Sequence, residues 1–84
     1  MGWVVVLSNR AEKNLRHVPA ADKARILSAM DEMRVDPLAG DVVKLKGLRA
    51  FRRRIGSYRI IYTADFQSLV VGVVDIQRRT STTY

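Results

Sequence analysis

Apolar residues follow a helical spacing in the first half of this chain and a strand spacing in the second. Near its start lies a short β-branched run without turn residues, Trp3–Leu7, which predicts a strand. Ser8 or Asn9 can cap a helix after it, and Pro19 both ends that helix and suits the first turn of another. The apolar stripes of these two helices are Ala11, Leu15 and Val18, and then Ile26, Ala29, Met30 and Met33.

The second half of the chain reads as a series of strands. Phe51–Ile55 alternates apolar and basic residues, Gly56-Ser57 is a natural two-residue hairpin turn, and Tyr58–Thr63 continues as a strand. Leu69–Ile76 is the longest β run, so we expect it to be a central strand. A shorter extended piece is expected at Val42–Leu45.

This order of elements predicts an α+β fold made of one domain, residues 1–84. We expect an N-terminal strand, a two-helix hairpin and then a three- to four-stranded antiparallel meander, with the helices packed on one face of the sheet. The other face then stays open. By strand parity Arg52 and Arg54 project from that open face, whereas Arg53 points toward the core unless its long side chain reaches an edge.

Charge changes this picture, because all of the net +7 lies in the predicted β half. Residues 1–42 carry six Lys/Arg and six Asp/Glu, whereas residues 43–84 carry nine Lys/Arg and two Asp/Glu. Such an asymmetry indicates a polyanionic partner, either nucleic acid or an acidic protein segment. The alternative is a solvated basic surface that only aids solubility.

Several classes of chemistry are disfavoured by composition. The chain has no cysteine and a single histidine, His17, which we expect to be structural or solvated near a helix end. No metal-ligand spacing and no glycine-rich phosphate loop is present, so we expect no metal and no cofactor. The apolar runs are too short to span a bilayer and no signal peptide is visible, so we expect a cytoplasmic protein without membrane contact.

What remains is a set of arginines on adjacent predicted strands: Arg52, Arg54 and Arg59, with Arg78 and Arg79 at the end of the last one. Such a set can hold a phosphodiester and stabilise charge that develops on it. RNA carries its own nucleophile, the 2′-hydroxyl, so RNA cleavage without a metal is chemically reachable. Tyr58, Tyr62 and Tyr84 offer rings for base stacking and hydroxyls for proton transfer, although packing in the sheet is favoured for Tyr62. Arg52 and Arg54 could equally bind phosphate or an acidic segment without catalysis.

Three segments resemble the RelE/ParE superfamily of bacterial type II toxins: Lys44-Leu-Lys-Gly47, the basic strand and Gly-x-Tyr-Arg element within Phe51–Tyr62, and Asp75-Ile-Gln-Arg-Arg79 followed by Tyr84. The resemblance covers essentially the whole chain and implies a cognate antitoxin as partner, possible assembly into a toxin–antitoxin hetero-oligomer, and, in the RelE branch, cleavage of mRNA in the ribosomal A site. The basic residues of that branch match Arg52, Arg54, Arg59 and Arg79 (or Arg78 if the register shifts by one), and its C-terminal tyrosine matches Tyr84. The further residues expected to bind nucleic acid are Lys44, Lys46, Arg49, Arg53, Tyr58 and Arg78.

Two alternatives stay open at this point. Gln77 stands where many relatives carry histidine, which keeps a ParE-like inhibitor of DNA gyrase, acting by protein binding without nuclease chemistry, as the second hypothesis. The third is a degenerate member that only binds an antitoxin or nucleic acid.

Overall fold

Five strands form one mixed sheet, and both helices cover the same face of it. The structure, a computed structural model, describes residues 2–78. Its elements in chain order are β1 (Val4–Leu7), α1 (Asn9–Arg16), α2 (Ala20–Met33), β2 (Val42–Lys44), β3 (Phe51–Ile55), β4 (Tyr58–Asp65) and β5 (Val70–Arg78). The predicted α+β fold is confirmed, with elements beginning and ending close to the expected residues.

The strand order across the sheet is β1-β5-β4-β3-β2. The predicted meander corresponds to β2 through β5, in which each strand pairs antiparallel with the next one along the chain. β1 returns beside β5 as a parallel neighbour, with Val4 opposite Val70. The long run of β5 therefore lies inside the sheet, paired on both sides, as expected from its apolar sequence.

The helix boundaries follow the predicted caps. The Ser8 hydroxyl accepts a hydrogen bond from the Ala11 N–H at 3.0 Å, and it donates to the Val74 carbonyl at 2.6 Å. Val74 is the extra residue of a β-bulge in β5, because Tyr62 pairs with Val73 and Ile61 pairs with Asp75. Ser8 therefore fixes the start of α1 to the point where β5 changes register.

The core lies between the helices and one face of the central strands. Each apolar residue of the second predicted helical stripe, from Ile26 to Met33, is buried. These side chains pack in one cluster with alternate residues of β4 and β5: Tyr58, Ile60, Tyr62, Val71, Val73 and Ile76. Alternation along β3 then leaves Arg52 and Arg54 on the open face, as predicted.

Arg53 takes the core-facing direction, and this corrects one sequence prediction. Its side chain is only 11% exposed and forms an ion pair with Glu32 of α2, while its Nη1 donates to the Ala29 carbonyl at 3.4 Å. The guanidinium also lies against Gly40, where a Cβ would come within 2.8 Å of it. Arg53 therefore fastens α2 and the following loop to β3, and it is removed from the residues expected to bind nucleic acid.

Tyr62 is fully buried, in agreement with the packing role favoured by the sequence. Its ring stacks on Phe51 with 5.6 Å between centroids, and its hydroxyl donates to the Pro37 carbonyl. Burial raises the pKa of the Tyr62 phenol to about 12. The folded state therefore favours the neutral phenol.

This pKa predicts how Tyr62 contributes to stability at alkaline pH. Because the folded pKa lies above the unfolded value of about 10, the contribution is complete below about pH 10 and is lost as pH rises through about 12. Urea unfolding of the wild type and of Tyr62→Phe, measured between about pH 9 and 12, should show the wild type losing its advantage over the variant across that interval. A difference between the two proteins that does not vary with pH would contradict this.

Candidate nucleic-acid interface

The β3–β4 hairpin brings three arginines together on the open face of the sheet. Arg54 lies directly opposite Arg59, and Arg52, two residues earlier on β3, lies opposite Ile61. The hairpin turns at Gly56-Ser57, and Gly56 has a φ of +56°, which favours glycine. A tight turn of fixed register therefore positions Arg52, Arg54 and Arg59, which we call the arginine row.

Little in the described part of the chain neutralises the arginine row. Two like charges directly opposite each other destabilise an antiparallel pair, and Arg54 and Arg59 are such a pair. The nearest acid is Asp41, whose carboxylate lies 4.0 Å from Arg54 Nε, and both of these side chains are substantially exposed. Such a separated surface pair contributes little. An anion bound at the row would relieve this repulsion.

Arg52 and Arg59 show the same lack of partners. Within residues 2–78 neither forms an ion pair, and the Nε atom of each is shielded from solvent without a hydrogen-bond acceptor. The Nε atom of Arg53 is shielded in the same way, although that guanidinium is already held by Glu32. Among residues 2–78, therefore, no acid compensates the charge of Arg52 or Arg59.

The acid nearest the row along the sheet is used elsewhere. Asp75 lies opposite Ile61 in register, but its carboxylate accepts hydrogen bonds from the side-chain amides of Asn14 and Gln77, at 2.6 and 3.0 Å, and from the Ile76 N–H at 2.8 Å. Among residues 2–78, Asp75 therefore forms no ion pair with an arginine. Neutral donors occupy this carboxylate, and the row keeps its charge.

One family model matches nearly the whole length of this chain. The sequence model described as "ParE toxin of type II toxin-antitoxin system, parDE" matches residues 5–82. The chain belongs to this family. No curated protein matches the sequence.

Solved structures of RelE/ParE toxins have the same fold as this toxin. A chain of the archaeal RelE-RelB complex from Pyrococcus horikoshii OT3 superposes with a TM-score of 0.87 at 27% identity, over 98% of this chain and 100% of that one. The isolated E. coli RelE toxin gives 0.83 at 18% identity, over 95% and 87%. The YoeB/ParE toxin from Agrobacterium tumefaciens gives 0.78 at 16% identity, over 92% and 99%. The RelE/ParE resemblance noted in the sequence is confirmed.

Three other basic residues expected to bind nucleic acid lie beyond the Arg52 end of the arginine row. Lys44 is the last residue of β2, and Lys46 and Arg49 lie in the exposed loop that follows it. A hydrogen bond from the Leu45 N–H to the Ala50 carbonyl, at 2.8 Å, closes this loop. This loop precedes Phe51, whereas Arg54 is near the far end of the strand, about 10 Å along it at some 3.3 Å per residue. These three residues form a basic patch next to the Arg52 end of the arginine row.

Tyr58 and Arg78 face each other in register but differ in exposure. The Tyr58 ring is 8% exposed and belongs to the core cluster, so it is not presented for base stacking, and this prediction is corrected. Arg78 is exposed beside His17 and Asn14, in a cleft of about 400 Å³ at the end of α1. Alternation along β4 explains the correction, because Tyr58 shares the helix-facing side with Ile60 and Tyr62.

Two further sequence predictions, Arg79 and Tyr84, lie outside the described residues. Their roles stay predictions. Over residues 2–78, no three histidine or acidic side chains converge as metal ligands would. In the part of the chain that the structure describes, neither helix is long and apolar enough to cross a membrane.

The arginine row can bind and polarise a phosphodiester, but it cannot by itself transfer a proton. A guanidinium remains protonated at any physiological pH, so it acts as a donor and a charge and not as a base. The planar fork of each arginine matches two phosphate oxygens. The chemistry that these three residues support is therefore stabilisation of negative charge on a phosphoryl group.

Proposed function

We propose that this toxin blocks translation by cleaving mRNA in the ribosomal A site. The observation that carries the proposal is the uncompensated charge of the arginine row, above all the direct opposition of Arg54 and Arg59. An exposed sheet face that holds three arginines with one acid 4.0 Å away suits an RNA backbone. The superfamily resemblance in the sequence leads to the same reaction.

In the proposed reaction the RNA provides the nucleophile. The 2′-oxygen attacks the adjacent phosphorus, the bond from phosphorus to the 5′-oxygen breaks, and the products carry a 2′,3′-cyclic phosphate and a 5′-hydroxyl. One proton leaves the 2′-hydroxyl and one reaches the departing 5′-oxygen. Negative charge grows on the non-bridging oxygens meanwhile, and positioned guanidinium groups stabilise that charge more than they stabilise the substrate.

Roles within the proposed site divide by position. Arg52, Arg54 and Arg59 hold the scissile phosphate, Arg79 adds to them, and Tyr84 assists proton transfer or stacks on a base. The basic patch of Lys44, Lys46 and Arg49, together with Arg78, contacts RNA on either side. The ribosome orients the mRNA, so the toxin itself needs to supply only charge stabilisation and weak acid–base help.

A cognate antitoxin is the proposed protein partner. Relatives of this fold are seen as toxin–antitoxin complexes, among them the archaeal RelE-RelB complex and the intact E. coli RelBE complex. An acidic segment of such an antitoxin would neutralise the open face and compete with RNA for it. The two partners would then form a hetero-oligomer in the cytoplasm, where translation takes place.

The second candidate function is inhibition of DNA gyrase by protein binding. It is favoured by the ParE description of the matching family and by Gln77 at a position where many superfamily relatives carry histidine. In this reading the arginine row contacts an acidic surface of gyrase and no bond is broken.

One induction experiment separates the two candidates. Cells expressing the toxin without antitoxin are sampled early in growth arrest, and RNA 5′ ends are mapped while plasmid supercoiling is followed. RNA cleavage predicts new 5′ ends in phase with codons and unchanged supercoiling. Lost supercoiling with intact mRNA would instead support gyrase inhibition.

A further inference from the structure

A cleft of about 480 Å³ opens between α2 and the β3–β4 turn. Its polar lining consists of Arg25, Ser28, Glu32, Arg53 and Arg54, with Gly56 at the turn. Arg54 borders this cleft and is also part of the arginine row. The cleft and the row therefore meet at the edge of the sheet.

Arg25 lies across the hairpin turn. A Cβ built on Gly56 would be 3.1 Å from Arg25 Nη1 and 3.3 Å from Cζ, so the guanidinium lies directly over this glycine. This contact places a cation from α2 on the turn that joins the strands of Arg54 and Arg59. It connects the charge-neutral helical half of the sequence to the basic half.

The charge of the cleft is only partly compensated. Glu32 lines it but forms its ion pair with Arg53, so this carboxylate does not neutralise Arg25. The acid nearest to Arg25 is Asp22, 4.0 Å away, and the Arg25 side chain is 62% exposed. Because a pair this long and this exposed contributes little, Arg25 remains available to an anion.

We propose that Arg25 and the Ser28 hydroxyl form a second phosphate subsite, which binds the RNA backbone next to the phosphate held by the arginine row. This inference rests on the proposed function. A strand of RNA that leaves Arg54 over the edge of the sheet meets Arg25 next, and the guanidinium and hydroxyl both donate to phosphate oxygens. The subsite adds affinity independent of base sequence, because it contacts the backbone alone.

Binding of a single-stranded RNA oligonucleotide across a salt series tests the proposal. Arg25→Ala should weaken binding about three- to tenfold and reduce the slope of log affinity against log salt by about 0.7, the value for one phosphate contact. The matched control is Arg10→Ala, which removes the same charge from an exposed position on α1, lies outside this cleft and should leave the slope unchanged. An Arg25→Ala slope equal to that of the control would overturn the subsite.

A second measurement separates failure of the subsite from failure of the proposed function. Inorganic phosphate titrated into the intact toxin should shift the NMR signals of the Gly56 N–H and the Arg25 side-chain N–H, and Arg25→Ala should abolish the Gly56 shift. Shifts in a wild type that does not cleave mRNA would retain the subsite and reject the nuclease. Cleavage of mRNA by a toxin that shows no phosphate-dependent shift would overturn the subsite and retain the nuclease. An Arg25→Ala defect that appears only in binding an acidic antitoxin peptide would have the same meaning.

Discussion

Replacing Arg52 and Arg54 together by alanine is expected to abolish growth arrest while the protein stays folded. Loss of one positioned charge-stabilising donor typically lowers a rate by about 10²–10³, so the double variant should cleave mRNA at least about 10³-fold more slowly. Folding should change by less than about 0.5 kcal/mol, because the two side chains lie on the open face and removing Arg54 relieves its repulsion with Arg59. Rates of mRNA cleavage and urea unfolding, measured on the same preparations, check both parts.

The matched control for this pair is Arg10→Ala with Arg16→Ala. It removes the same two charges from exposed positions of α1, on the helix-covered side of the protein. If cleavage depends only on overall charge, the two double variants should be equally impaired. We expect the control to retain most of its activity, and wild-type toxicity in Arg52→Ala/Arg54→Ala would refute the arginine row as the site.

The second large effect concerns stability and involves Glu32. Glu32→Ala leaves the Arg53 guanidinium almost enclosed, with the Ala29 carbonyl as its only hydrogen-bond acceptor in the described part of the chain. Breaking a buried ion pair by removing one partner costs up to 3–5 kcal/mol, and because Glu32 is 57% exposed we expect roughly 2 kcal/mol. In a domain of this size that corresponds to a fall in melting temperature of about 8–16 °C.

Arg53→Leu is the informative partner variant. An aliphatic side chain fits between α2 and β3 without a charge to satisfy, and the exposed Glu32 left behind is hydrated, so the free energy of unfolding should change by less than about 1.5 kcal/mol. Adding Glu32→Ala to Arg53→Leu should then cost almost nothing. Equal losses from Glu32→Ala in the wild-type and Arg53→Leu backgrounds would show that the ion pair contributes nothing.

The fold could be predicted from the sequence because its signals are local. Ser8 begins a helix, Pro19 separates two helices, and Gly56-Ser57 makes a two-residue turn that fixes the register of β3 against β4. The parallel pairing of β1 with β5 is a long-range contact, and no spacing within Trp3–Leu7 specifies it. The β-bulge at Val74 likewise depends on a hydrogen bond from Ser8, far away in the sequence.

The sequence predicts only the part of the site that follows from the alternation of side chains along a strand and from the hairpin turn. Parity placed Arg52 and Arg54 on one face, and turn geometry added Arg59. Charge and ring type alone assign Arg53 and Tyr58 to nucleic-acid binding, although both occupy core-facing positions. The sequence does not single out Arg25, because the helical half has no net charge, and only the folded chain shows this side chain lying over Gly56.

The central claim is that the arginine row promotes attack by a 2′-hydroxyl, and a programmed ribosome tests it most directly. Ribosomes are loaded with mRNA that carries either ribose or 2′-deoxyribose at the A-site nucleotide preceding the scissile phosphate, and purified toxin is added. We expect the all-ribose mRNA to be cut and to end in a 2′,3′-cyclic phosphate, the 2′-deoxy mRNA to stay intact, and Arg52→Ala/Arg54→Ala to cut neither. An uncut all-ribose mRNA, or equal cutting of both mRNAs, would contradict the account.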